Sequence, residues 1–428
     1  MEQSGWADLP DIVVIEIYKS LNDRDRAHMA LACKNWSRLF VTPILWRTKH
    51  FDLGGYRAHA AGIRATKFAN HLGHYIKYLS ISCSHPSYNT CKFFQRSVED
   101  FFSKMRQTQL HEFELVRLEL DRFWKYDSTR EKITSIFSNF FKIQKTLRSF
   151  DMAAAQFTVN SGCRVLDAIA QSSDKTIKEL CIEDFFNSRS AVYQAPRFKS
   201  AIVKFSNLVF LGLNYNYLSE DIVEMLAANI NGTLDAMNIK VYRNDPHFHR
   251  ISGFAWKSLA RKCPKLKVTV WFEGMGFASE IIPVLVNEIP VSEIHLWTGY
   301  DEDEEWRLSA IIEHISKCYY KTLESISLEL DNNHELVDES VLAMVNKCKT
   351  LREIVLNAVI AVDTVEVICH QQLEKKNNLK LFHATVCGLT EEEWVNLCVI
   401  RDLFAPMVKE RDLDFRFSSD LLIDVLPS

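Results

Sequence analysis

Glycine and proline are both scarce in this chain, which has 13 glycines and 10 prolines among 428 residues. Disordered segments are usually rich in such residues and poor in apolar ones, so this content and the 47% of hydrophobic residues argue against a long disordered region. Long apolar runs are missing as well. The longest candidates, such as VLNAVIAV at 355–362, are far shorter than the 18 or more residues of a membrane-spanning helix. The sequence therefore predicts a folded chain without a membrane partner.

Further absences bear on the compartment and on the chemistry. The first residues, MEQSGWADLPD, lack the basic region of a signal peptide. The 11 cysteines are odd in number, scattered and without a CxxC pair, so we interpret them as reduced thiols in core positions of a cytoplasmic and/or nuclear protein. The GxSxG, phosphate-loop and HExxH motifs are missing too. We therefore expect no metal, no cofactor and no catalytic activity of the chain itself.

Charge is nearly balanced, with 51 basic and 55 acidic residues and a formal net charge of −4 at pH 7. A nucleic-acid-binding domain usually carries its lysines and arginines in a patch or a stripe, and no such stripe is evident along the sequence. A nucleic-acid partner is therefore not expected.

A short apolar pattern recurs along most of the chain. It has apolar residues at its first, fourth and sixth places, as in Leu208, Leu211 and Leu213. Stretches with a helical spacing of apolar residues, such as LSAIIEHISKC at 308–318, lie between the copies. Successive central residues are 26 to 39 positions apart, and they are Leu79, Leu118, Phe150, Leu180, Leu211, Met237, Val268, Ile294, Ile326, Ile354 and Phe382.

A strand, a loop and a helix repeated about every 30 residues predict a solenoid, because one such unit cannot bury its apolar face alone. The strand pattern resembles that of leucine-rich repeats, and the resemblance covers most of residues 70–390. Several units carry a cysteine shortly before the strand, as in CPKL and CKTL, which resembles the cysteine-containing class of these repeats. A doubly wound α/β fold is the alternative, and the short period and the lack of a glycine-rich phosphate loop argue against it.

The N-terminal segment differs from the repeats. Pro10 suits the first turn of a helix, and the helix that follows is apolar on more than one side. Only about 50 residues precede the repeats, which is too few for a deep core of their own, so we expect a partner protein to cover part of this helix. Its apolar residues are Ile12, Val13, Val14, Ile15, Ile17 and Leu21.

The stretch LPDIVVIEIYKSLNDRDRAHMALACKNWSRLFVTPILW, residues 9 to 46, closely resembles the F-box. Arg26 stands where the family commonly has leucine and Ala32 where it usually has valine, and each departure removes apolar contact. The resemblance implies an α/β protein with an N-terminal three-helix F-box, in which NDRDRAHMALACKNWSRLF is the second helix and TPILWRTKH the third, followed by a leucine-rich-repeat solenoid.

The resemblance also implies a function, the substrate-recognition subunit of an SCF-type (Skp–cullin–F-box) E3 ubiquitin ligase. Such a subunit docks a Skp-family adaptor of a cullin-RING ligase and presents a protein substrate, while the transfer chemistry occurs on other subunits. A scaffold that binds the adaptor without serving a ligase is the alternative function. The implied adaptor contacts, or their direct supports, are Leu9, Pro10, Ile12, Val13, Ile17, Leu21, Leu31 and Trp36.

Three residues of this segment also have structural interpretations. Trp36 has the alternative role of only holding the three helices together. Trp46 is expected to pin the third helix to the first repeat, because a buried tryptophan removes about 150–250 Å² from water. Cys33 is interpreted as a small buried filler.

The substrate surface is predicted from strand geometry, since the side chains between the anchors of a repeat strand point to the concave face. Acids outnumber bases there, and the acidic run 301–305 follows Trp297. We hypothesise that Trp297 and Trp271 anchor a basic segment of a protein substrate. The alternative is that the run is a solvated loop at the head of the next helix. The candidate substrate-binding residues are Glu183, Asn214, Glu293, His295, Trp297 and Glu329, with Arg117, Glu119 and Asp121 on the same predicted face.

These patterns predict three regions. They are an F-box over residues 1–55, a leucine-rich-repeat-like solenoid over 56–390, and a C-terminal cap or tail over 391–428. The period is expected to break at Glu391, because the terminal unit of a solenoid needs a cap over its exposed apolar edge.

Overall fold

The computed structural model describes residues 5–54, 57–83, 88–116, 118, 127–299, 306–333 and 335–419. The chain divides into two compact units, residues 1–187 and residues 188–428. Within each unit the described strands follow one another in chain order, and each pairs in parallel with the next. The expected parallel-strand solenoid of α/β class is thus confirmed.

The first unit begins with three short helices, as expected for an F-box, but their bounds differ from the prediction. Asn22 and Cys33 are both N-caps, since the Asn22 side chain accepts the amide of Asp25 at 3.0 Å and the Cys33 Sγ accepts the amide of Trp36 at 3.5 Å. The predicted second helix is therefore two helices, and Cys33 is a half-buried cap rather than a buried filler. The three helices are α1 (Asp11–Ser20), α2 (Asp23–Met29) and α3 (Lys34–Phe40).

The prediction of a helix over TPILWRTKH is wrong. This stretch forms one 3-10 turn, Pro43–Leu45, and then strand β1 (Thr48–Asp52). The strand was missed because its anchor place, which pairs with Leu79 of the next repeat, is held by Lys49 instead of an apolar residue. Burial lowers the pKa of Lys49, and the carboxylate of Asp23, 2.5 Å from its Nζ, partly opposes that shift.

Four repeats follow in the first unit, and one of them has a different register from the predicted one. Phe113, not Leu118, is the central anchor of the second, because Phe113 pairs with Leu79 on one side and with Phe150 on the other. The strands are β2 (Tyr78–Ser82), β3 (Glu112–Val116), β4 (Ser149–Asp151) and β5 (Glu179–Cys181), and the helices are α4 (Ala58–Leu72), α5 (Tyr88–Lys104), α6 (Asp127–Phe141) and α7 (Val159–Ser172).

The second unit repeats the same arrangement with longer strands. Most of its predicted anchors pair as expected, for example Ile294 with Ile326 and Ile326 with Ile354. The exception is Val268, because an irregularity between Val268 and Thr269 makes Val270 the partner of Ile294. The strands are β6 (Phe210–Asn214), β7 (Ala236–Tyr242), β8 (Lys267–Glu273), β9 (Val291–Trp297), β10 (Ser325–Glu329), β11 (Glu353–Ala358), β12 (Leu381–Val386) and β13 (Asp414–Ser419). The helices are α8 (Pro196–Ile202), α9 (Glu220–Asn229), α10 (Gly253–Lys262), α11 (Ala278–Ile281), α12 (Leu308–Tyr319), α13 (Asp338–Lys347), α14 (Val362–Leu373) and α15 (Glu391–Glu410).

The expected break in the period at Glu391 does not occur. Helix α15 and strand β13 form one more unit, in which Phe415 pairs with Phe382 at the anchor place. Residues 420–428 of the predicted cap lie outside the described residues.

Anchors of the strands and the inward faces of the helices form the core. In the first unit, rings from strands and helices meet, with centroids 4.9 Å apart for Phe113 and Phe141 and 5.2 Å apart for Phe141 and Phe150. Six of the described cysteines are buried. Burial raises the pKa of Cys348 to about 11 and that of Cys369 to about 12, so both thiols stay protonated and pack as small apolar groups.

Trp46 joins the F-box helices to the first repeat. Its side chain is 1% exposed, and its indole Nε1 donates to the carbonyl of Phe40 at 2.5 Å. On the other side its ring lies 5.5 Å, between centroids, from that of Phe68 in α4. The expected link to the first repeat is therefore present, although Trp46 does not lie on a helix. The buried residues of this shared core are Val14, Tyr18, Met29, Leu39, Leu45, Trp46 and Leu72.

Arg26 closes the C-terminal end of α1. Its Nε donates to the carbonyl of Tyr18 at 2.8 Å and its Nη2 to that of Lys19 at 3.3 Å, and both carbonyls belong to the last turn of α1. The carbonyl of Tyr18 also accepts the amide of Leu21, at 3.2 Å. Its Nη1 donates to the carbonyl of Leu45 at 2.9 Å, and its guanidinium lies 5.3 Å from the ring centroid of Trp46. The departure from the family's leucine therefore adds polar contacts where we expected only a loss of apolar ones.

Replacing Arg26 should destabilise the F-box-like core. Arg26→Ala removes charged donors from two partly buried contacts, with the carbonyls of Tyr18 and Leu45, so the free energy of unfolding should fall by about 2–3 kcal/mol. Urea denaturation followed by circular dichroism measures the change. The control is Arg24→Ala, which removes an exposed arginine from the same helix and should change the free energy by less than about 0.5 kcal/mol. Equal effects of the two variants would contradict the capping role.

The register of β3 can be tested in the same way. Phe113 is buried against the rings of Phe141 and Phe150, so Phe113→Ala should cost about 3–5 kcal/mol of unfolding free energy. Glu114→Ala, one residue along the strand and exposed, should cost less than about 0.5 kcal/mol. A larger loss from Glu114→Ala than from Phe113→Ala would place the strand in the opposite register.

Candidate functional site

The F-box-like helices leave several large apolar side chains uncovered. Val14 and Tyr18 point from α1 into the core, whereas Ile12 is 70% exposed, since residues two apart on a helix lie about 200° apart around its axis. Leu31, which follows α2, is 83% exposed. Pro10 and Val13 are exposed as well. We call Pro10, Ile12, Val13 and Leu31 the N-terminal apolar surface.

The other four predicted adaptor residues support this surface from below. Leu9, Ile17, Leu21 and Trp36 are half-buried and pack against the core that contains Val14 and Tyr18. Sequence reasoning placed all eight residues in one group, because apolar identity alone does not say which side of a short helix is covered.

Trp36 links the N-terminal helices to one another and also leaves part of its ring exposed. Its indole Nε1 donates to the carbonyl of Trp6 at 3.0 Å, and its own carbonyl accepts the hydroxyl of Tyr18 at 2.8 Å. These bonds tie the N-terminal 3-10 turn, Trp6–Asp8, and α1 to α3. The half-exposed ring is thus fixed in place by the fold and still reachable by a partner.

A second surface lies on the strands of the second unit. Parallel pairing places Trp271 beside His295, His295 beside Ser327, and Trp297 between Glu273 and Glu329. The side chains surround a cavity of about 190 Å³. Trp271 is 37% exposed and Trp297 40% exposed, which is unusual for the largest apolar side chain. We call Trp271, Glu273, His295, Trp297 and Glu329 the aromatic–acidic surface.

The polar groups of this surface are held in fixed positions. The rings of Trp271 and His295 are stacked, with centroids 3.5 Å apart and planes 5° apart. His295 Nε2 lies 2.8 Å from one oxygen of Glu293, whose other oxygen accepts the hydroxyl of Thr269 at 3.1 Å. An indole face next to carboxylates attracts a cation through the ring quadrupole and through charge, so the arrangement can bind a lysine or arginine side chain.

The predicted substrate residues are only partly brought together. Glu293, His295, Trp297 and Glu329 lie on adjacent strands, as the repeat spacing indicated. Asn214 is 2% exposed and lies at the end of β6, directly before the 3-10 turn Tyr215–Tyr217, so it is not part of a surface.

The remaining candidates fall elsewhere. Glu183 is half-buried and belongs to the first unit, beyond the end of β5. Arg117, Glu119, Asp121 and the acidic run 301–305 lie outside the described residues. Glu273 was missed because it ends a strand for which the apolar pattern was loose. Only the pairing with Trp297 shows that Glu273 belongs to the aromatic–acidic surface.

The first unit carries a concave pocket of its own, which sequence reasoning did not find. It has a volume of about 320 Å³, and Glu112, Glu114 and Asp151 contribute carboxylates to its lining. Burial raises the pKa of Asp151, against an opposing hydrogen bond from the amide of Ala153, and the charge of Glu114 raises it further. The pocket was missed because of the shifted register of β3. The predicted register put Arg117 and Glu119 at the positions that Glu112 and Glu114 occupy.

Two absences concern the described residues only. In the part of the chain that the structure describes, no three or more histidine, cysteine, aspartate or glutamate side chains are grouped so that they could hold a metal ion. Nor does any helix among the described residues have the length and apolar character needed to span a bilayer.

The chain is similar to known proteins in its N-terminal segment and along most of its length. A family described as F-box-like matches residues 6–52. F-box/LRR-repeat protein 21 of Mus musculus is 23% identical over 317 residues, which are 69% of this chain and 65% of that protein. The protein of the same name from Ovis aries is 21% identical over 424 residues, which are 94% of this chain and 84% of that protein. The chain thus spans slightly less than two thirds of the mouse relative.

One solved structure that is similar is the leucine-rich repeat-containing protein LegL7 from Legionella pneumophila. It is 13% identical, with a TM-score of 0.37, and the match covers 83% of this chain and 98% of that one. This TM-score is too low to support the fold. The solenoid is established instead by the parallel pairing of the chain's own strands. The F-box-like segment at 6–52 and the strand repeats behind it together support an F-box protein with leucine-rich repeats.

Proposed function

We propose that this protein is the substrate-recognition subunit of an SCF-type E3 ubiquitin ligase and has no catalytic activity of its own. F-box segments generally bind a Skp-family adaptor in cullin-RING ligases, and residues 6–52 match that family. The observation that carries the proposal is the exposure of Ile12 and Leu31 within this segment. The repeat solenoid then serves as the substrate-binding part.

Energetics favours a partner on the N-terminal apolar surface. Burying an isoleucine or leucine side chain fully is worth about 1.5–3 kcal/mol relative to exposure. The supporting residues Leu9 and Trp36 are already packed, so they need no reorganisation when a partner docks. A preorganised apolar surface of this kind matches the anchors that dominate protein interfaces.

Adaptor capture can be tested with exposed residues, which leaves the core intact. The double variant Ile12→Glu, Leu31→Glu places charge in an apolar interface and should weaken adaptor binding at least about 30-fold, equivalent to about 2 kcal/mol. The measurement is titration of the full chain with a purified Skp-family adaptor by isothermal calorimetry. The matched control is Val395→Glu, Val399→Glu on α15, two valines that are more than half exposed in the second unit.

The outcomes separate the two functions. Unchanged adaptor affinity in the Ile12→Glu, Leu31→Glu variant would contradict the assigned interface. Copurification of the wild-type chain with the adaptor but without a cullin would favour the scaffold that serves no ligase.

For the substrate, we propose that the aromatic–acidic surface receives a basic segment of a protein. The pocket is lined by the indoles of Trp271 and Trp297 and by the carboxylates of Glu273 and Glu329. The basic group of Lys240 lies 3.5 Å from the carboxylate of Glu273. A substrate lysine or arginine would displace that contact or add to it.

A labelled hexa-arginine peptide serves as the probe for this surface. The double variant Trp297→Ala, Glu329→Gln removes one indole and one charge, both exposed, so peptide affinity measured by fluorescence anisotropy should fall at least tenfold. Phe254→Ala, which removes an exposed ring elsewhere in the second unit, is the control and should leave affinity unchanged. Charge reversal of residues 301–305 in the same assay decides whether the acidic run takes part. Equal affinities of the wild type and the double variant would rule out the surface.

We also propose a closer kinship, with F-box only protein 39. It rests on the resemblance of IEDFF at 182–186, AVYQAPRFK at 191–199 and LGLNYN at 211–216 to the corresponding segments of that protein. The relatives reported above support the broader family of F-box proteins with leucine-rich repeats.

A further inference from the structure

Each strand of the first unit is preceded by a basic residue. These five residues, which we call the basic row, stand immediately before β1, β2, β3, β4 and β5. Arg47, Arg148 and Lys178 are exposed, and Lys77 and His111 are half-buried. The members of the row are Arg47, Lys77, His111, Arg148 and Lys178.

Backbone hydrogen bonds hold the row in register. The amide of Lys77 donates to the carbonyl of Arg47 at 2.8 Å, and that of His111 to the carbonyl of Lys77 at 2.7 Å. The same bond joins Arg148 to His111 and Lys178 to Arg148, each at 2.7 Å. Because neighbouring strands lie about 4.8 Å apart, the five residues form a line about 19 Å long.

The positive charges in the row act on one another and lack compensation. Burial lowers the pKa of His111, and the charges of Arg148, Lys77 and Arg47 lower it further, which reflects their proximity. Lys77 donates to the carbonyl of Gln109 at 2.9 Å, a neutral acceptor. Within the described residues, no carboxylate forms an ion pair with Arg47, Lys77, Arg148 or Lys178.

The repeat architecture does not impose this pattern. In the second unit, the residues that precede strands in the same way are mixed in charge and polarity. They are Val209, Asp235, Leu266, Pro290, Glu324, Arg352, Lys380 and Leu413. An uninterrupted basic row therefore belongs to the first unit and calls for an explanation outside the stability of the fold, since uncompensated like charges destabilise it.

We propose that the basic row binds an acidic, extended segment of a protein partner that runs across the strands of the first unit. An extended peptide advances about 3.3 Å per residue, so about six residues span the row. Preorganisation by the backbone bonds lowers the entropic cost of bringing four cations and a histidine together. This site is separate from the N-terminal apolar surface and does not depend on adaptor binding.

Charge next to the row favours a peptide over a nucleic acid. Glu112, Glu114 and Asp151 line the pocket that begins one residue along the strands, so the positive potential is confined to a narrow edge. A nucleic acid needs a broad positive surface for its phosphates and would meet these carboxylates. A single extended acidic peptide fits the narrow edge.

Binding of fluorescein-labelled hexaglutamate to the full chain, followed by anisotropy, tests the proposal. The triple variant Arg47→Gln, Arg148→Gln, Lys178→Gln removes three exposed charges, and the dissociation constant should rise at least tenfold. The control, Lys257→Gln, Arg261→Gln, Lys265→Gln, removes three exposed charges from α10 and the loop after it, and should change the constant less than twofold. Binding to the wild type should weaken when the salt concentration rises from 50 to 200 mM, roughly as expected for screened charges.

Three results would overturn the proposal. The first is no measurable binding of hexaglutamate to the wild-type chain. The second is an equal loss in both triple variants, which would assign the effect to net charge. The third is tighter binding of an oligothymidylate of the same charge that is lost only in the Arg47, Arg148, Lys178 variant, which would assign the row to nucleic acid. Adaptor binding, measured in parallel, should be the same in all variants.

Discussion

Parallel, in-register pairing of one short strand per repeat is the constraint on which the rest of the structure depends. It brings residues about 30 positions apart in the sequence to within about 5 Å of each other. Apolar residues at the shared positions build the core, and the residues between them are aligned into surfaces. Trp271, His295 and Ser327, on three successive strands, become neighbours only in this way. The basic row and the aromatic–acidic surface are therefore products of register, with chemistry set by residues that the core does not use.

Most of the solenoid could be predicted from the sequence, because its anchors are apolar and evenly spaced. Two strands show where that signal fails. At β1 the buried anchor is Lys49, whose charge is satisfied by Asp23 and by the indole of Trp46, 4.6 Å from its Nζ, and no apolar pattern can reveal such a position. At β3 two overlapping patterns compete, one centred on Phe113 and one on Leu118. The sequence cannot decide between them, since only the pairing partners in the neighbouring strands do so.

The candidate sites, too, could be predicted only where their residues lie close together in the sequence. Resemblance to the F-box made Ile12 and Leu31 candidate adaptor contacts, because that motif is local and contiguous. It could not separate these exposed side chains from supports such as Ile17, which requires knowledge of the packing beneath α1. The sequence alone did not reveal Glu273 or the basic row. The residues that lie beside each other in these surfaces are far apart along the chain. Asn214 was assigned to a surface by simple alternation, which fails at a strand end where the backbone turns.

The indole of Trp46 bears on how such a protein can arise by gene rearrangement. It packs against Phe40 from the F-box helices and against Phe68 from α4, while β1 is already paired with β2. A recombination joint at residue 47 would divide one continuous core and leave both fragments with an open apolar face. Any transfer of these helices to another solenoid would therefore have to carry the first repeat with them, because the two parts share one core.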